Sequence, residues 1–140
     1  MITISTDKSR LDRELIHRFL SEESYWAKRI PRAVVERSID NALCFGAYDG
    51  HAQVGFARVI SDFATFAYVG DVFVLASHRG RGVSKQLMAA IRSHEALQGL
   101  RRWHLLTHDA HQLYEQFGFS ALASPQRHME SADPLVYERG

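Results

Sequence analysis

Twenty residues in the middle of the chain, VFVLASHRGRGVSKQLMAAI, restrict the fold more than any other stretch. Val72 to Leu75 are apolar and suited to a strand. Beyond them, Val83, Leu87, Ala90 and Ile91 recur at the spacing of one helix face. Between strand and helix lie Gly80 and Gly82, flanked by Arg79, Arg81 and Lys85. A helix start leaves several backbone N–H groups without intrahelical partners. Glycine removes the Cβ atoms that would hold a ligand away from them. The helix dipole and the nearby cations then favour an anion. The stretch therefore points to a phosphate or pyrophosphate. The same letters also describe a plain glycine turn with solvated basic side chains.

Spacing narrows the phosphate ligand. The G-x-x-x-x-G-K-[ST] pattern of a P-loop is absent. The run Gly80-Arg81-Gly82-Val83-Ser84-Lys85 lacks the third glycine of a dinucleotide fingerprint. No acidic residue closes a strand about twenty residues later.

The rest of the chain supplies elements around this turn. MITIS alternates like a short strand. Leu11, Leu15, Phe19, Ile16 and Leu20 predict a helix over SRLDRELIHRFLSEES, with Ser9 and Asp12 as a capping box. Pro31, at the first helical position, opens a second helix through Ile39. LCFGAY and AQVGFARVI flank Asp49-Gly50, a hairpin signal, and TFAYVGDVFVL follows as a third strand. After the central helix come a strand, RRWHLLT, and a short helix, DAHQLYEQF, with Asp109 as N-cap, Gln112 at N3 and Gly118 just past its end. FSAL and LVYER are short strand candidates. The expected order is β-α-α-β-β-β-α-β-α-β-β. Tight turns make neighbours antiparallel and the strand-helix-strand crossover makes a parallel pair. An α+β fold follows, a three-layer arrangement of a mixed, twisted sheet with helices on both faces.

The chain has 140 residues, so residues 1–140 are expected to form a single domain. A net charge of +1 gives no general reason to expect nucleic acid or a membrane surface as partner. No apolar run approaches a membrane span, and the N-terminus reads as mature protein. One cysteine, Cys44, allows no intrachain disulfide and makes a reducing, cytoplasmic setting the default. His104, His108 and His111 fall on different expected elements with no thiol or carboxylate pattern to complete a site, so no metal is expected.

Two motifs together resemble the GCN5-related N-acetyltransferases, the GNAT superfamily. VFVLASHRGRGVS is similar to the family's [QR]-x-x-G-x-[GA] segment after a strand: Arg79, Gly82 and Ser84 take the defined positions, with Ser in place of Gly or Ala. HDAHQLYEQFGF is similar to its A-x-x-x-Y-x-x-x-G-F segment through Ala110, Tyr114, Gly118 and Phe119, with Thr107 where the family often has Asn. The element order extends the likeness over nearly the whole chain.

The resemblance implies acetyl-CoA as cosubstrate and direct acetyl transfer to a primary amine, most simply of a small molecule. A protein or peptide acceptor, or a CoA-binding sensor without turnover, remains an alternative. It implies that the backbone of Phe73 and Val74 pairs with the pantetheine arm, where Gly70 marks either a bulge or close packing. It implies that the N–H groups of Gly80, Arg81, Gly82, Val83, Ser84 and Lys85 cradle the pyrophosphate, with charge from Arg79, Arg81 and Lys85 and a pantetheine contact from Thr107. Tyr114 becomes the general acid for the leaving thiolate; from its helix alone it is equally an aromatic anchor. Asp71 stands at a position that faces the acceptor in the family. A carboxylate in the apolar run YVGDVFV needs a partner, either an acceptor ammonium or neighbouring backbone. Glu22, Glu23, Tyr25 and Trp26, between the first two helices, are the acceptor-side candidates, or a solvated loop edge. A homodimer through the sheets is also within the family's range.

Overall fold

The computed structural model describes residues 1–139. Strands β1 (Ile2–Ser5), β2 (Leu43–Asp49), β3 (Ala52–Ser61), β4 (Phe66–Val74) and β5 (Arg102–Leu105) hydrogen-bond in chain order. The first four are mutually antiparallel and β5 joins β4 in parallel. Asp49-Gly50 makes the expected β2–β3 turn, with Gly50 at a φ of 64°.

Helix α3 (Val83–Ser93) packs across β1 to β4 on one face of the sheet. Its Val83, Leu87, Met88 and Ile91 are buried with Phe45, Val59, Val69 and Tyr114. On the other face, α1 (Arg13–Arg18) and α2 (Arg32–Asp40) enclose Ile16, Phe19, Val35 and Ile39 with Phe56 and Phe73. Phe19 and Phe73 stack with ring centroids 4.0 Å apart. The mixed sheet between two helical faces is as expected.

Local chemistry shifts several boundaries. Asp12, rather than Ser9, caps α1 by accepting from the Leu15 amide at 3.0 Å. The long first helix then changes into a π-helical turn at Phe19–Glu23, ended by Ser24. The Ser24 hydroxyl donates to the Leu20 carbonyl and accepts from the Ala27 amide, so it ties off the helix and starts the loop. Pro31 sits at the N-cap of α2, one place before the expected position. Helix α4 is His111–Glu115; Ala110, rather than Asp109, occupies its N-cap without a side-chain cap bond, and Thr107 Oγ1 accepts from the Ala110 amide at 3.0 Å. Gly118 takes the left-handed conformation expected past that helix, with a φ of 92°.

The two last strands do not form. The segment around FSAL is irregular, and Pro125 opens a 3₁₀ turn soon after it. At LVYER, Asp133 bends the chain: its side chain accepts from the Leu135 amide and its carbonyl from the Val136 amide, giving a 3₁₀ turn at Val136–Glu138. Runs this short have too little burial to overcome such local bonds.

Candidate active site

The parallel pairing of β4 with β5 ends at Val69 opposite Leu105, yet β4 continues to Val74. A bulge is the cause. Phe56 pairs with Phe73 and Arg58 with Gly70, so one β3 residue faces two on β4, Asp71 and Val72. Asp71 has a φ of 53°, a left-handed conformation that Asp tolerates better than most residues. The bulge is thus centred beside Gly70 rather than on it. It leaves the end of β4 with a free edge on the β5 side.

The Leu75 amide donates to the Val54 carbonyl on β3 at 2.9 Å. Alternation therefore directs the backbone of Val74 toward the free edge, where Arg79 Nε donates to its carbonyl at 3.1 Å. Phe73 is turned the other way, its backbone toward β3 and its ring into the core. Of the two residues expected to meet an extended ligand arm, Val74 presents its backbone there and Phe73 does not.

Past β4 the chain reaches the glycine turn. His78 Nε2 lies 2.9 Å from an Asp49 carboxylate oxygen, pinning the start of the turn to the β2–β3 hairpin. Gly80 and Gly82 both have a φ of 76°, and Gly82 is the N-cap of α3. Among the described residues, the N–H groups from Gly80 to Lys85 have no partner within the protein. Added Cβ atoms at Gly80 or Gly82 would meet nothing within 4 Å. The glycines are needed for backbone conformation and for the open approach, not for packing. A pyrophosphate fits this cradle of amides at the start of an eleven-residue helix. Arg81 and Lys85 are exposed beside it, whereas Arg79 spends its Nε on the strand.

A cavity of about 690 Å³ opens where the sheet splays, between the bulge, the β5–α4 loop and the loop before α2. Tyr114 lines it and is buried, in edge contact with Phe119. Its hydroxyl makes no hydrogen bond within the protein and is not sealed from solvent. Burial, with the nearby Tyr25 and Asp109, pushes this phenol up to about 12. It stays protonated at neutral pH and can act only as a donor of its proton.

Across the cavity, Asp71 is committed on both oxygens. Trp26 Nε1 donates to Oδ1 at 2.8 Å and Arg58 Nε to Oδ2 at 2.8 Å. Tyr25 closes the rim: the His108 amide donates to its hydroxyl at 3.0 Å, and its ring meets Trp26 edge-on. The π-helical turn delivers this aromatic pair to the site. Thr107 lines the same cavity. Glu22 and Glu23 do not; they are exposed on the π-helical turn, outside the cavity wall. Sequence reasoning missed Arg58, Tyr68 and Tyr137, all in the wall. Arg58 carried the same signal as Asp71, a charge inside an apolar strand. Tyr137 carried none, because only the bent C-terminal segment brings it there. Among the described residues no group of His, Cys, Asp or Glu is gathered to hold a metal ion, and no helix is long and apolar enough to cross a membrane.

Known proteins are similar to this chain in sequence and fold. The Acetyltransferase (GNAT) domain family matches residues 40–121. A Gibberella zeae protein named as a candidate acetyltransferase is 32% identical over 133 residues, 79% of this chain and 74% of its own. A crystal structure from Xanthomonas campestris pv. campestris, described as a candidate acetyltransferase of the GNAT family, is 57% identical. It superposes with a TM-score of 0.96 over 98% of this chain and 96% of that one. The enzyme AAC(6')-Iy, solved with the bisubstrate analog CoA-S-monomethyl-acetylneamine, shares the fold at 22% identity. Its TM-score is 0.62, with 86% of this chain and 91% of that one covered.

Proposed function

The chain belongs to the GNAT acetyltransferase family, and from that premise we propose that it transfers an acetyl group from acetyl-CoA to the primary amine of a small molecule, by direct attack with both substrates bound. One observation carries the reading: the unpartnered amides from Gly80 to Lys85 lead along a free strand edge to a cavity that Tyr114 lines. Acetyl-CoA supplies a thioester activated toward amines. The glycine turn holds its pyrophosphate through backbone N–H groups, and Arg81 and Lys85 add charge. The Val74 amide aligns the pantetheine arm along β4, and Thr107 borders the opposite side.

Tyr114 keeps its proton at the hydroxyl until a thiolate departs, and then gives it up. Because it is protonated at neutral pH, the phenol has a proton to give to the departing thiolate, and its phenolate regains one from water in the open cavity. Asp71 acts on the acceptor side as a positioning residue: it fixes Trp26 and Arg58 and leaves little free carboxylate for proton abstraction. The acceptor's ammonium proton leaves through water in the open cavity. Tyr25 and Trp26 supply an aromatic wall for the acceptor's apolar part. Cys44 takes no part, since it is buried and burial pushes its thiol up to about 11.

The test is an acceptor screen with acetyl-CoA, reading released thiol, beside calorimetric titrations of CoA and NAD. Turnover with small amines and binding of CoA alone are expected. CoA binding without turnover on any amine or peptide would make the protein a sensor module. Turnover on peptides alone would move the acceptor class to proteins. NAD binding without CoA binding would overturn the cofactor assignment.

A further inference from the structure

The acceptor cavity holds one cation whose hydrogen-bonding capacity is mostly unspent. Arg58, with only 18% of its side chain exposed, meets Asp71 through Nε alone. A guanidinium has five N–H donors, and a fork-to-fork pair with a carboxylate would use two nitrogens. Here both Nη groups have no protein partner among the described residues, and neither is sealed from solvent. Arg58 itself lines the cavity. Asp71 cannot turn to satisfy them, because its second oxygen is held by Trp26 Nε1. Arg58 is the only Lys or Arg among the described residues lining this space. Tyr68, stacked on His104, adds a hydroxyl with no protein partner in the same wall. A planar array of donors, fixed at its base and free at its tip, matches a carboxylate in geometry and charge.

We infer that the acceptor amine carries a carboxylate, which the Nη groups of Arg58 bind, with Asp71 and Trp26 holding the guanidinium in place. The inference rests on the acetyltransferase reading and deepens it: the substrate class becomes small amino acids in the broad sense, with an amine and a carboxylate on one apolar frame. The ion pair with Asp71 keeps Arg58 from acting as an uncompensated buried charge before substrate arrives. The partial desolvation of the site strengthens the carboxylate contact when it forms.

Matched pairs of acceptors test this: phenylalanine with phenylalaninamide, β-alanine with β-alaninamide, and para-aminomethylbenzoate with its carboxamide. Two readouts are used, kcat/KM by thiol release and, without turnover, quenching of tryptophan fluorescence with CoA present. At least one carboxylate is expected to exceed its carboxamide by about tenfold or more, as a charge-assisted hydrogen bond implies. In the paired variant Arg58→Gln with Asp71→Asn, which leaves no lone charge in the wall, that ratio should fall toward one while CoA titrates as in the native protein. Carboxamides that equal or exceed every carboxylate in both readouts would overturn the inference, as would binding of no member of any pair. A preference that survives the paired variant would also overturn it. Selective carboxylate binding with no thiol release would instead sink the transferase reading and leave the anion site standing.

Discussion

Replacing Tyr114 with Phe separates chemistry from packing, because the hydroxyl and the ring do different things here. The ring is buried among the α3 face of the core and meets Phe119 edge-on. Phe keeps that surface. The hydroxyl makes no hydrogen bond within the protein, so deleting it orphans no partner. Stability should therefore change by no more than about 0.5 kcal/mol, a shift in Tm of roughly 2 °C or less for a chain of this size. Turnover should fall about 100-fold, the usual range for loss of a general acid, or about 2.7 kcal/mol on the barrier. Affinity for CoA should hold. A pH signature accompanies this. The phenol moves from 10.0 to about 12 because burial disfavours the phenolate. Its stabilisation of the fold is then complete below pH 10 and is lost as pH rises toward 12, since only the unfolded chain ionises easily there. Chemical denaturation across that window should show the native protein losing stability and the Phe variant losing less. Stopped thiol-release assays give the rate. Unchanged turnover would refute the acid role and return Tyr114 to the core. A large fall in Tm alongside the rate would show that the hydroxyl has a structural partner.

Asp71→Asn should lower stability by about 1–3 kcal/mol in urea titration, because it strands a mostly buried Arg58 without its counter-charge; it should raise the acceptor's KM and spare the affinity for acetyl-CoA. Gly82→Val should strain a backbone held at a φ of 76° by about 1–2 kcal/mol and weaken CoA binding by calorimetry, with the fold retained by circular dichroism. Cys44 should not react with Ellman's reagent at neutral pH until denaturant is added, and alkylation before unfolding would contradict its burial.

Features that depend on neighbouring residues were legible in the chain. Gly80, Gly82, Gly50 and Gly118 all adopt left-handed conformations at the turns where the sequence predicts breaks. The hydrophobic period placed α3 and the three long strands β2, β3 and β4, since burial on one face is written locally in every second or every third to fourth residue. The candidate cofactor side was readable for the same reason: a run of unpartnered amides at a helix start is a property of one short segment.

The acceptor side was not, because its parts come from distant segments. Asp71 was expected to meet an acceptor ammonium or neighbouring backbone. Only folding brings Arg58 and Trp26, 13 and 45 residues away, onto its two oxygens. Glu22 and Glu23 share a loop with Tyr25 and Trp26, yet the π-helical turn sends the carboxylates to solvent and the aromatics to the cavity. The C-terminal segment shows the same limit. LVYER has strand-forming letters, but Asp133 captures its amides and Tyr137 ends in the cavity wall. The order of helices, strands and glycine turns as far as α4 was determined by the sequence alone, through backbone conformation and side-chain period. Which charges pair, which strand edge stays free and which side chains share a cavity were decided by the tertiary structure. Each of those depends on long-range contacts that no local pattern encodes.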